Sequence, residues 1–262
     1  METGGEYFGS VDSAYLNLLA EVLERDKQAT YESMRIEGGQ QVLDVGCGTG
    51  TDTVALAQLV GPGGRVKGVD NDLEMIAEAD RRSIAVGVGD RVSHELAEAT
   101  ALPFGANTFH SSRSERLFQH LADPAAALAE MVRVTKPEGW IVVLDTDHGT
   151  ASVDFPDSDL ERRLMRLRSD LAHNGYSGRQ LYRLFKEQSF SEAHFELRPI
   201  YITSYAVARE AVLLARVERE ALARRVATTE EIHRWQETLR KADEEGVFFF
   251  STNLTLAVGR KR

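Results

Sequence analysis

The stretch that most constrains this chain is VLDVGCGTG, from Val42 to Gly50, followed directly by Thr51, Asp52 and Thr53. Val42, Leu43 and Val45 make a short apolar run suited to a buried parallel strand, and the glycines after it lead into a helical pattern at Val54, Ala55, Leu56 and Leu59. A strand turned this sharply into a helix leaves the backbone bare at Gly46, Gly48 and Gly50. A ligand can lie against it, and the unpaired amides and positive end of the helix face the same space. This is a cradle of nucleotide type; the plainer alternative is a tight βα turn that holds nothing. Asp44 lies inside the strand, where a carboxylate is costly to bury unless loop amides or a ligand satisfy it, and is expected to orient the glycine loop.

Around this stretch strands and helices alternate. Tyr15, Leu18, Leu19, Val22 and Leu23 recur at helical spacing after a cap at Asp12 or Ser13, which predicts a helix ending before Gly38. Gly61 to Gly64 turn into a second strand over 65–69, ended by Asp70, and Asp72 caps a helix carrying Met75, Ile76 and Ala79. Strands are predicted over 91–95 and 108–112, then a helix opened by Asp123 and Pro124 and bearing Leu128, Met131, Val132 and Val134. Lys136 to Gly139 turn into an apolar fifth strand over 140–145. Such alternation implies a parallel sheet covered on both faces.

Beyond Asp147 the pattern changes. Ser158 and Glu161 form a capping box before a helix with Leu160, Leu164, Leu167 and Leu171 on one face; a helix over 179–186 and a strand over 192–200 follow. Residues 204–245 are helical and charge-rich, with a second capping box at Thr228 and Glu231, and Leu254, Leu256 and Val258 alternate as in a strand. The expected fold class is α/β, a Rossmann-like, seven-stranded, mostly parallel sheet whose last strand is antiparallel. A helical N-terminal segment, 1–38, precedes the main domain, 39–262, which carries a helical insertion at about 204–245.

Composition narrows the function. With 31 Lys and Arg against 41 Asp and Glu, the formal net charge of -10 argues against non-specific attraction to nucleic acid or an anionic membrane. One cysteine, Cys47, permits no intrachain disulfide and reads as a small apolar wall residue rather than a nucleophile; a reducing cytoplasmic location is expected. METGGEYFGS lacks the features of a signal peptide, and no stretch approaches about 18 uninterrupted apolar residues. The scattered histidines offer no metal-ligand spacing, so no metal is expected.

Asp70 ends the second strand roughly 20 residues past the glycine loop, where an acid can reach the ribose of a nucleoside; alternatively it is a cap or loop residue. In order, VLDVGCGTG, VKGVDND, LAEATALPF, SSRSERLFQHL and MVRVTKPEGWIVVLDTD resemble a class I S-adenosylmethionine-dependent methyltransferase, within that class the small-molecule enzymes of ubiquinone and menaquinone biosynthesis. The resemblance covers roughly 40–147. The competing reading of the glycines, a nicotinamide-binding domain, fits the ALPF element and the proline-glycine turn less well.

By position, the resemblance implies that Gly46, Cys47, Gly48, Thr49 and Gly50, oriented by Asp44, hold the methionine part of S-adenosylmethionine, and that Asp70 holds the ribose hydroxyls. It places Asn71 and Met75 on the ligand side and Glu98 and Ala99 beside the adenine, where the family's common acid is Asp. Arg113 would pair with the methionine carboxylate, or else be a surface arginine. The reaction would be attack by an O, N, S or C nucleophile of a small metabolite on the sulfonium methyl, releasing S-adenosylhomocysteine. His120 is the first candidate for a general base, against a histidine that merely packs; His148, Tyr7 and Tyr15 come after it.

The position after the fourth strand reads SSRSER and lacks an Asn-Pro-Pro-aromatic motif, which with the acidic balance disfavours DNA, RNA and protein substrates. Two rivals stand beside methyl transfer: a binding protein or cyclase that uses the sulfonium without transferring its methyl, and an RNA methyltransferase. The N-terminal helix and the 204–245 helices form a lid over a small-molecule pocket or, equally, a contact between two copies.

Overall fold

The computed structural model describes residues 22–262. Tyr7, Tyr15 and most of the expected N-terminal helix lie outside the described residues; within them the first helix is α1, Glu24–Ser33. The strands are β1 (Gln41–Val45), β2 (Arg65–Asp70), β3 (Val92–Leu96), β4 (Phe109–Glu115), β5 (Thr135–Val153), β6 (Phe190–Ile202) and β7 (Phe250–Lys261). They form one sheet in the order β3-β2-β1-β4-β5-β7-β6. The pairs from β3 to β5 are parallel, and β7, the last strand of the chain, runs antiparallel between β5 and β6.

Between the parallel strands come α2 (Thr51–Val60), α3 (Leu73–Ala85) and α4 (Pro124–Val134). Their starts follow the expected chemistry: Asp72 accepts from the Glu74 amide at 2.8 Å, and Asp123 from the Ala126 amide at 2.9 Å with Pro124 behind it. The alternation of the strands decides the core. Leu43, Val45, Ile141 and Val143 face one side, against Leu128, Met131 and Phe185. Val42, Val142, Leu144 and Leu256 face the other, against Leu56 and Val60.

Three expectations are corrected. β4 continues past Ser112 to Glu115 because its polar side chains find buried partners: Ser112 meets the Thr135 hydroxyl at 2.9 Å, and Arg113 meets carboxylates. β5 outruns the expected 140–145 because it pairs with β4 only to Leu144 but with β7 as far as Val153. The helix α5 (Ser158–Asp170) is capped one residue earlier than expected, by Asp157, whose carboxylate accepts from the Leu160 amide at 3.1 Å. Glu161 instead accepts from the Val153 amide, at 3.1 Å, and ties the end of β5 to the helix.

The helix α6 (Ser177–Lys186) leads to the edge strand β6. Then α7 (Tyr205–Ala211), α8 (Leu214–Ala223) and α9 (Thr229–Glu244) pack with α5 over the far ends of β5 and β7, around Leu160, Leu164, Val217, Trp235 and Phe250. The capping box at the start of α9 is formed in full by Thr228 and Glu231. Among the described residues no helix is long and apolar enough to cross a membrane. Trp235 is 0% exposed, with its ring 4.7 Å from that of Phe155. Trp235→Ala should lower unfolding stability by about 3–5 kcal/mol in urea titrations; a loss under about 1 kcal/mol would show that this helical layer stands apart from the cooperative core.

Candidate functional site

The site grows from the end of β1. Gly46 and Gly50 hold φ of 75° and 76°, a left-handed backbone that disfavours a side chain. Space is short too: a Cβ on Gly46 would lie a tight 3.1 Å from the Leu117 side chain, and one on Gly50 would overlap Ala79 at 2.8 Å. The loop is stitched to the end of β2. The Gly46 and Cys47 amides donate to the Val69 carbonyl at 2.8 and 2.9 Å, and the Gly48 amide donates to Asp70 Oδ2 at 2.9 Å. Asp70 Oδ1 accepts from the Asp72 amide at 3.1 Å. One carboxylate therefore braces both loops, and each oxygen keeps lone-pair capacity for a ligand. Burial raises the Asp70 pKa, opposed by these donated amides.

Over the two loops opens a cavity of about 390 Å³. Gly46, Gly48, Asp70, Asn71, Asp72 and Met75 line it, as do Arg116, Gln119, His120, His148, Arg168 and Arg216. Leu171, Ile202, Val212, Val217 and Phe250 supply apolar wall, part of it from α7 and α8. The bare glycine backbone, the braced acid and the apolar Met75 fit the three chemistries of an adenosyl amino acid: polar tail, ribose diol and flat base.

Behind the glycine loop lies a buried ionic cluster. Arg113 is 0% exposed. Its Nη1 donates to Asp44 at 3.1 Å and lies 3.2 Å from Asp52, and its Nη2 donates to Glu115 at 2.6 Å. Lys27 of α1 bridges Asp52 and Glu115 at 2.8 and 2.9 Å, and the Tyr31 hydroxyl donates to Asp52. Burial pushes the Asp44 carboxyl up to about 7, against the pull of Arg113. Asp52 is held the other way: although burial raises it, Arg113 and Lys27 together keep it below the usual carboxylate range.

The profile of a family described as a methyltransferase domain matches residues 36–197. The chain belongs to the class I S-adenosylmethionine-dependent methyltransferase family. An uncharacterized 37.1 kDa protein in transposon TN4556 of Streptomyces fradiae is 35% identical over 193 residues, 71% of this chain and 55% of that protein. The demethylmenaquinone methyltransferase of Bacillus cytotoxicus is 37% identical over 130 residues, 48% of this chain and 54% of that enzyme. The chain spans about half the length of the curated relatives it matches. The fold is similar to that of the YcgJ protein of Bacillus subtilis, with a TM-score of 0.65 at 20% identity over 91% of this chain and 99% of that one.

Of the residues proposed from sequence for this methyltransferase, Gly46, Gly48, Asp70, Asn71, Met75 and His120 line the cavity. Asp44, Cys47, Thr49, Gly50, Glu98, Ala99 and Arg113 do not. The structure corrects the partners expected for two of them: the Arg113 guanidinium is engaged by three carboxylates instead of facing the cavity, and Asp44 is answered by Arg113 instead of by loop amides. Cys47 is buried, burial pushes its thiol up, and its sulfur packs so closely on Gly68 that a Cβ there would lie 2.8 Å from it. It is a wall residue without thiolate character. Thr49 is buried, Glu98 is exposed and accepts from Asn71 at 3.5 Å, and Ala99 packs in the core beneath.

Sequence reasoning missed Arg116, Gln119, Arg168 and Arg216. Arg116 and Gln119 adjoin His120 and were within reach of a local reading; Arg168 and Arg216 arrive from α5 and α8, with no local signal. Together with the two histidines, Gln119 and Arg168 form a directed chain. Arginine can only donate, so Arg168 Nη1, 2.8 Å from His148 Nδ1, finds that nitrogen bare. The His148 proton therefore sits on Nε2 and is donated to Gln119 Oε1 at 2.7 Å. The Gln119 amide nitrogen donates to the Arg116 carbonyl at 3.0 Å, which fixes the orientation of the amide, and to His120 Nε2 at 3.2 Å. His120 thus carries its proton on Nδ1.

Desolvation first, then Arg116 and His173, lowers the His120 pKa to about 4; the ring opens onto the cavity where water tempers the effect, and the consequence is a neutral imidazole at neutral pH. Burial, then Arg168, depresses His148 as well, below its ordinary 6.5. The folded chain therefore refuses a proton that the unfolded chain accepts, so stability is full above that value and falls as pH drops through it. His148→Gln should flatten this fall: its urea midpoint should change less than the parent's between about pH 7 and about pH 5. Equal changes would show that His148 is not held neutral.

Proposed function

We propose that the chain binds S-adenosylmethionine at the glycine-loop end of the cavity and transfers its methyl group to a small organic molecule held beside His120. The observation that carries this reading is the single carboxylate of Asp70, which braces the Gly48 amide at 2.9 Å while lining the cavity. Asp70 would accept from the ribose hydroxyls, the Gly46 and Gly48 backbone would lie along the methionine part, and Met75 would cover the base. The methyltransferase relatives support the same reading, and the demethylmenaquinone enzyme supports a small organic acceptor.

When bound, the cofactor supplies a methyl group already activated by its sulfonium charge. The chain then has to hold the acceptor in line and exclude water, and alignment of this kind contributes about 7–11 kcal/mol in favourable cases. The apolar wall from Leu171 to Phe250 excludes water. His120, neutral and with its Nε2 lone pair engaged by Gln119, would orient the acceptor, and would take up its proton only on giving up that contact as the new bond forms.

Calorimetry should show S-adenosylmethionine and S-adenosylhomocysteine binding to the parent. Asp70→Ala should weaken both about 10- to 150-fold, the equivalent of about 1.5–3 kcal/mol for hydrogen bonds to a charged acceptor. With methyl-labelled cofactor and a metabolite extract, label should pass to a small molecule, and His120→Ala should slow that passage while leaving cofactor affinity nearly intact. No heat with either compound would sink the cofactor assignment. Binding without label transfer would leave the non-transferring rival.

A further inference from the structure

The cavity is lined by charges of both signs. Among the described residues the carboxylates that line it are Asp70 and Asp72, beside the glycine loop, and Glu115, which Lys27 and Arg113 already hold at 2.9 and 2.6 Å. Arg116, Arg168 and Arg216 line it too, together with Leu171, Val212 and Val217. Among the described residues no carboxylate pairs with Arg116, and the titratable groups that feel its charge are His120 and His148, both held neutral. The backbone of Arg116 is held in an unfavourable state for a long side chain, with φ of 52°. Its amide donates to the Leu144 carbonyl at 2.8 Å and its carbonyl accepts from Gln119 at 3.0 Å, so the surroundings impose the conformation. Strain kept this way at the rim of a cavity is a feature of binding sites. Arg168 is held in place by donating to His148 at 2.8 Å and to the Val212 carbonyl at 3.1 Å.

We propose that the acceptor is an apolar molecule bearing an oxyanion, a carboxylate or a phosphate, and that Arg116, with Arg168 of α5 and Arg216 of α8, holds that anion in the cavity. This rests on the methyl-transfer reading for the word acceptor. The anion site itself rests only on the side chains that line the cavity. Planar guanidinium groups suit both oxyanions, which they can meet with paired N–H donors. The apolar residues that line the cavity with them suit a hydrocarbon body.

The test is calorimetric titration of the full chain with octanoate, octyl phosphate, octanol and octylamine, below their aggregation concentrations, both alone and with saturating S-adenosylhomocysteine. The two anions should bind at least tenfold more tightly than octanol, and octylamine least. The tighter anion identifies the headgroup as carboxylate or phosphate, and either supports the proposal. Arg116→Gln should cost at least tenfold in octanoate affinity and leave octanol and S-adenosylhomocysteine affinities unchanged; Arg216→Gln serves as the second variant should the first fail to fold. Equal binding of octanol and octanoate, or no binding of either anion, overturns the proposal. So does a matching loss of S-adenosylhomocysteine affinity in Arg116→Gln, which would assign the arginine to the cofactor's own carboxylate. Failure of S-adenosylhomocysteine to bind the parent would fall on the cofactor reading instead, while the titrations without it still rank the anions.

Discussion

The guanidinium of Arg113, sealed beneath the glycine loop, is the interaction on which the rest of the structure depends. Arg113 stands directly opposite Asp44 in the register of β4 against β1, and it also gathers Asp52 from α2 and Glu115 from its own strand. Through Lys27 the same cluster takes hold of α1. Burying so many charges is costly, and an ion pair of this kind is weak evidence for added stability; removing one member, however, strands the others at a cost of about 3–5 kcal/mol. What the cluster provides is register. Slipping β4 by one residue would turn Arg113 to the opposite face, away from Asp44 and Asp52, and would carry Glu115 and Arg116 with it. The glycine loop at the end of β1 and the turn bearing His120 after β4 are therefore placed by one electrostatic lock.

Much of this architecture was legible from local chemistry. The alternation of strand and helix, the caps at Asp72, Asp123 and Thr228, and the antiparallel final strand all rest on patterns a few residues long, and the structure has them. Legibility ended where partners are distant. Asp44 and Arg113 are 69 residues apart, so nothing local could reveal that each answers the other. The capping box at Ser158 was a sound local pattern, yet Glu161 does more by holding the end of β5, and Asp157 was free to cap in its place. β5 outgrew its apolar run because an antiparallel neighbour, not hydrophobicity, decides where a strand stops.

The polar chain from Arg168 through His148 and Gln119 to His120 obeys a second constraint, that polar groups taken out of water must be satisfied. Because arginine has no acceptor, the direction of every hydrogen bond along the chain follows from its first member. A histidine lining the cavity is thereby given one tautomer and one orientation by an amide. A carboxylate partner would have raised its pKa and favoured the imidazolium; an amide leaves it neutral and keeps positive charge on the arginines alone.

That separation of charge has a consequence for orientation. An acceptor with one anionic end cannot lie indifferently in a cavity lined by Asp70 and Asp72 and also by Arg116, Arg168 and Arg216. Reversed, its anion would approach like charges across an apolar wall of low dielectric, where repulsion is several times what it would be in water. Laid the other way, the anion meets guanidinium groups. The same charges that bind the acceptor would thus set which of its atoms is presented to the methyl donor, and specificity for the reacting atom would arise from repulsion at one end as much as attraction at the other.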